Sequence, residues 1–155
     1  MQVGIEAIGA EELCRKLDAN VLLADPLRNF LEKCVRSVYM AARTNVPRDT
    51  GALYRSLQYQ VDSAHLPLWA ETGTNLAYAP YVEYGTRPHF PPLAALAGWA
   101  SRHGFGDNVY LVGLAIARHG TPAFHFLRDA VQSSEPEFSG YARAMESEVR
   151  QIWQT

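Results

Sequence analysis

The sequence predicts an α+β fold in a single domain, with a long N-terminal amphipathic helix packed on a small antiparallel sheet and further helices in the C-terminal half. Three patterns predict it. From Leu27 onward, Phe30, Leu31, Cys34, Val35, Val38, Tyr39 and Ala42 recur at helical spacing, while Arg28, Glu32, Lys33, Arg36 and Arg43 fall on the other side. Between residues 57 and 70 apolar and polar residues alternate, as they do in a half-buried strand. Beyond residue 90, prolines and glycines punctuate a series of helical stretches.

Taken in order, residues 10–22 form a first helix candidate, with Leu13, Leu17 and Val21 at four-residue steps. Asp25 and Pro26 then suit the opening turn of the long helix, because Asp caps free N–H groups and Pro tolerates the first position. That helix must stop before Pro47, which carries no N–H and disfavours a helical Val46. Residues 52–57 suit a short helix. Leu57, Tyr59 and Val61 predict one strand, and Leu66, Leu68 and Ala70 its partner, across a turn at 63–65. Thr72, Gly73, Thr74 and Asn75 read as a turn leading into the aromatic stretch 78–84.

In the second half, Pro91 and Pro92 precede a helix through Leu93, Leu96, Ala97 and Trp99, capped at Gly104. Val109, Val112 and Ile116 mark the next, capped at Gly120. Thr121 and Pro122 are expected to open a helix through Phe124, Leu127 and Val131. Ser134, Glu135, Pro136 and Glu137 combine a capping box with a first-turn proline, and so predict a separate C-terminal helix at about 135–153, with Phe138, Tyr141, Met145, Val149 and Ile152 on one face.

A chain of 155 residues, 48% hydrophobic, can bury roughly two thirds of its unfolded surface in one core without a metal or disulfide staple. Net charge is −2, which does not suit sequence-independent nucleic-acid binding. The charge is uneven: residues 1–25 sum to −3, 26–60 to +4 and 132–155 to −2. Cys14 and Cys34 read as reduced thiols. The first residues lack the layout of a signal peptide, and no run is long enough to span a bilayer, so folding in the cytoplasm is expected.

No phosphate-cradling loop, HExxH, GxSxG, EF-hand loop or paired CxxC occurs, and His65, His89, His103, His119 and His125 build no metal-ligand face. No cofactor, metal or catalytic residue is therefore assigned. One catalytic alternative carries a motif. Asp49, Thr50 and Gly51 form the DTG triplet of aspartic proteases, in which two aspartates share one proton. Its context opposes that chemistry: the triplet follows a helix rather than an apolar strand, and Arg48 favours ionised Asp49. A turn capped by Asp49 is the plainer reading.

The order VPRDTGALYRSL (46–57), YAPYVEYGT (78–86), residues 99–104 and HGTPAFHFL (119–127) resembles a phage family typified by gene product ten of the lambdoid coliphage HK ninety-seven, itself similar to tail-completion protein Z of phage lambda. The resemblance covers about residues 25–131. It implies a structural virion protein of the neck or tail of a long-tailed phage, not an enzyme, assembled in the host cytoplasm and joining head connector to tail. It further implies a ring of copies of itself, six being the expected order, beside a connector or stopper, a tail terminator and a tail tube. DNA would pass through the channel without sequence-specific binding, past an acidic lumen, and no membrane is involved. A tail terminator or head–tail connector ring is the nearest alternative, and a cytoplasmic protein-interaction module the more distant one.

A ring subunit contacts its neighbours through two different patches. The interface candidates are Asp49, Thr50 and Gly51, then Tyr78, Tyr81, Glu83, Tyr84 and Gly85, then Arg87 and Phe90, with the hairpin edge as a further surface. Tyr78, Tyr81 and Tyr84, three apart, predict a short helix showing its rings on one side. Glu83, near Arg87, reads as a buried charge paired within the subunit or across the ring. Glu83→Ala is expected to leave the fold intact and weaken assembly.

Overall fold

The computed structural model describes residues 24–62, 68–106 and 108–154. The helix expected at 10–22, together with Cys14, lies outside them. The elements run α1 (Ala24–Asn45), α2 (Ala52–Ser56), β1 (Gln58–Val61), β2 (Ala70–Gly73), α3 (Ala79–Tyr84), α4 (Leu93–Arg102), α5 (Val109–His119) and α6 (Phe126–Gln154). The mixed fold read from the sequence is present, with the long amphipathic helix lying on a two-stranded antiparallel sheet.

Helices α1 and α6 form the backbone of the structure. They run antiparallel, as two cross-links show: Asn29 donates to Glu148 at 3.2 Å near one end, and the Ser37 hydroxyl donates to Glu137 at 2.7 Å further along. Val35, Val38 and Ala42 on α1 are buried, as are Phe126, Ala130 and Ser134 on α6. The hydrophobic core cluster lies at the end where α1 stops. There Val46, Leu53, Leu57 and Ala79 join Val38, Ala42, Phe126 and Ala130 in one cluster, with Phe126 wholly buried. The expected stop before Pro47 holds, with Val46 N–H still bonding Ala42 O at 2.9 Å. Cys34 carries a half-buried free thiol whose pKa burial pushes up.

Three expectations need correction. The second strand is 70–73, and Leu68 lies before it, while Leu66 falls outside the described residues: Gln58 faces Gly73 and Val61 faces Ala70, so Thr72 and Gly73 pair in the ladder instead of turning. Ladder pairing won because it places Tyr59 5.1 Å from the Tyr39 ring on α1 and lets the Thr72 hydroxyl bond Gln58 O at 3.1 Å. The turn expected at 63–65 lies outside the described residues. The second correction concerns Thr121 and Pro122, which open no helix: Thr121 forms an isolated bridge with Thr86, and α6 begins only at Phe126.

The third correction is Pro136, which starts no new helix. It lies inside the 29-residue α6. A proline there removes one N–H and frees the carbonyl of Gln132. Both residues are exposed, so water can satisfy that carbonyl, while packing against α1 holds the helix on both sides of the break. Glu137, next along, is fixed by two hydroxyls, Tyr141 at 2.6 Å and Ser37 at 2.7 Å, which hold its carboxyl below the ordinary 4.5. Pro136→Ala restores the missing bond and should stabilise the fold by about 1–3 kcal/mol, seen as a Tm higher by about 3–10 °C in thermal unfolding followed by circular dichroism.

Candidate functional site: an aromatic cleft between a helical arm and the body

Helices α4 and α5 pack on each other and form a hairpin arm. Neither packs extensively on α1, the sheet or α6. Phe90 and Leu93 fill the space above Gly113 on α5, where a Cβ would stand 2.8 Å from Leu93, so a glycine there allows the close approach. The two helices end as expected, with Gly104 at φ 79 after α4 and Gly120 at φ 72 after α5. His103 closes α4 and stacks on Trp99 at 4.3 Å.

The root of the arm is a backbone crossing of two Gly-Thr dipeptides. Thr86 N–H bonds Thr121 O at 3.1 Å, and Thr121 N–H bonds the Thr86 hydroxyl oxygen at 3.0 Å. The chains approach so closely that a side chain on either glycine would collide. A Cβ on Gly85 would lie 2.5 Å from Thr121 O, and one on Gly120 would overlap the Thr86 carbonyl. Both glycines also take positive φ, which side chains disfavour.

Beside this crossing, Glu83 closes the start of α6. Its side chain is only 4% exposed, and its two oxygens accept from Leu127 N–H at 2.9 Å and Arg128 N–H at 3.0 Å. Those amides belong to the first turn of α6, where no earlier carbonyl can reach them. A carboxylate there also meets the positive end of the helix. The main chain reinforces the contact: Phe124 N–H bonds Val82 O at 2.9 Å and His125 N–H bonds Glu83 O at 3.0 Å. His125 turns the chain into α6 at φ 49, the one non-glycine positive φ among the described residues.

Between α3, the 86–91 segment, the arm and residues 120–124 lies an open, mostly apolar cleft of about 1350 Å³. Tyr81, Val82, Leu96, Trp99, Val112 and Ile116 are among its walls. The rings around it are unusually open: Tyr81 is 62% exposed, Tyr84 74%, Phe90 52% and Phe124 52%. Among the described residues no three or more His, Cys, Asp or Glu side chains gather as a metal site, and no helix is long and apolar enough to cross a membrane.

The interface candidates therefore divide. Tyr78, Tyr81 and Arg87 line the cleft, with Tyr84 and Phe90 exposed nearby. The short helix over 79–84 forms as expected, although at three-residue spacing Tyr84 turns off the cleft wall that Tyr78 and Tyr81 share. Glu83 and Gly85 are internal: one caps α6 and the other allows the crossing. The pairing of Glu83 is inside the subunit, and its partners are backbone amides, not Arg87. Asp49 sits apart, where both its oxygens receive Arg102 from the end of α4, at 2.7 and 2.5 Å. Asp49 therefore does not cap the turn as expected: the Thr50 hydroxyl accepts from Ala52 N–H at 3.3 Å, and Gly51 opens α2 at φ 75.

Sequence reasoning missed Arg102 and the Gly-Thr crossing. The repeat of YGT at 84–86 and HGT at 119–121 was a visible signal for the crossing; nothing local marked Arg102. The hydrogen bond from Arg102 and its charge hold the Asp49 carboxyl below the ordinary 3.8. With its pKa depressed in the folded state, Asp49 favours the fold above that ordinary value and loses this contribution as pH falls through the depressed one. A doubly paired, ionised carboxylate is also the reverse of what a proton-sharing protease dyad requires.

The segment that builds α1, α2, the hairpin and α3 is also the segment that matches a described family. Residues 11–85 match a family described as "Bacteriophage HK97-gp10, putative tail-component". Over that stretch the chain carries the pattern of this bacteriophage tail-component family, as its motifs suggested, and the matched residues begin and end earlier than the 25–131 read from the motifs. No curated protein and no solved structure matches the chain.

Two substitutions test the junction. Glu83→Ala strands two amide donors and should destabilise the fold by about 2–3 kcal/mol, a Tm lower by about 5–10 °C, so loss of stability precedes any effect on assembly. Gly120→Ala, by forcing the crossing apart, should yield little folded protein in the same circular-dichroism assay.

Proposed function

We propose that the chain is a structural virion subunit of a long-tailed bacteriophage, working in the neck or at tail completion to join the head connector to the tail. It acts as one copy in a ring around the DNA channel, six being the order we favour, and it does no chemistry of its own. The observation that carries this reading is the exposed aromatic surface around the cleft. Tyr81 and Tyr84 are far more open than an isolated soluble domain requires, and tyrosine and arginine anchors such as Tyr78, Tyr81 and Arg87 are the side chains that protein interfaces favour. The family match over 11–85 supports the virion role.

In this reading the chain forms one domain. The cleft face meets one neighbour, and a different surface, the edge of the β1–β2 hairpin, which pairs with no further strand among the described residues, meets the other, since a ring requires two unlike patches. DNA is passed and not read. The partners along the axis are other neck and tail proteins, a connector or stopper on one side and a terminator or tail tube on the other.

The double variant Tyr81→Ser, Tyr84→Ser removes exposed rings and should leave the Tm within about 1–2 °C of the parent. Its self-association, measured by native mass spectrometry and sedimentation, should weaken by about tenfold or more, and particles carrying it should lack joined tails on electron micrographs. Unaltered association together with normal joined particles would refute the role assigned to this face.

A further inference from the structure

We propose that the α4–α5 arm is hinged at its root and latched at its far end by the ion pair between Asp49 and Arg102, so that releasing the pair lets the arm swing and widens the aromatic cleft. The inference gives the DTG triplet a mechanical role, and it does not rest on the ring reading.

The two ends of the arm are held by different means. At the root, Thr86 and Thr121 cross with backbone and hydroxyl bonds at 3.0–3.1 Å, and His89 N–H reaches Ile116 O at 3.4 Å. Gly85 and Gly120 flank that crossing with positive φ, so the chain reverses there without a side chain in the way. At the far end, the last residue of α4 is Arg102, and both its Nε and an Nη atom meet the two oxygens of Asp49. Between root and tip lies the cleft, with apolar walls and no extensive packing of either arm helix onto α1, the sheet or α6.

The latch is built on the body with care. Asp49 lies in the segment between α1 and α2, which the Thr50 hydroxyl and the left-handed Gly51 shape. A bidentate pair fixes direction as well as distance, and this suits a latch that must define one closed position. The pair is also accessible: the Arg102 and Asp49 side chains keep 47% and 31% of their surface exposed. Exposed pairs are weak and are screened by salt, so this one can be broken by ions or by a competing charge on a neighbouring protein. Inside the arm, the packing of Phe90 and Leu93 over Gly113 joins α4 to α5, so the pair moves as one body.

The test places nitroxide labels at Ala97→Cys on α4 and Gln132→Cys on α6, in the full chain with Cys14 and Cys34 changed to serine, and measures their distance distribution by pulsed electron resonance. The parent should show one narrow population at low salt that broadens as ionic strength rises. Arg102→Ala and Asp49→Ala should each lose the narrow population in favour of longer distances, with circular dichroism showing the folded body intact. The exchange Asp49→Arg with Arg102→Asp should recover it. Distributions of Arg102→Ala and Asp49→Ala that superimpose on the parent at every salt concentration would overturn the latch, as would an exchanged pair no narrower than the single variants in a protein that is still folded.

Discussion

Two backbone amides at the start of α6 need acceptors that their own helix cannot supply, and a carboxylate from α3 supplies them. This single contact, Glu83 on Leu127 and Arg128, fixes where the longest helix begins. Its position decides much else. Phe126, the first residue of α6, is wholly buried in the central cluster, so capping and core packing occur at the same place. The Gly-Thr crossing lies next to it in the chain on both sides, one glycine following α3 and the other preceding the approach to α6. A buried charge is tolerated here because its oxygens are hydrogen-bonded and face a helix N-terminus.

Because the junction consumes the polar groups of this region internally, what it turns outward is aromatic. Tyr81 and Tyr84 stand on the outer side of the very helix whose inner side carries Glu83. A six-residue helix has little stability of its own, and it is the cap on α6 and the pairing of Thr86 that hold it in place. The surface offered to partners is thus positioned by the same bonds that set the fold. Assembly and stability are coupled through α3, and a change on its inner side is felt first as stability.

Much of this was legible in the sequence. The repeat from Phe30 to Ala42 located α1, Pro47 ended it, and Gly104 and Gly120 ended α4 and α5, because period and backbone permissiveness are local properties. The DTG and YAPYVEYGT motifs led to the family. Where reading failed, tertiary contacts overrode local signals. Pro136 looked like a helix start but is carried inside α6, since α1 packs on both sides of it and its freed carbonyl faces water. Thr72 and Gly73 looked like a turn but pair as a strand against Gln58 and Tyr59. Glu83 could be seen as a buried charge, whereas its partners, amides 44 and 45 residues later, could not.

Hydrogen exchange of individual amides followed by NMR tests the organising contact most directly, because first-turn amides of a helix ordinarily exchange quickly for want of an acceptor. If Glu83 holds α6 as described, the amides of Leu127 and Arg128 exchange as slowly as that of Ala130 in the core. Fast exchange at these two positions, at the rate of a frayed helix end while Ala130 stays protected, would contradict the account.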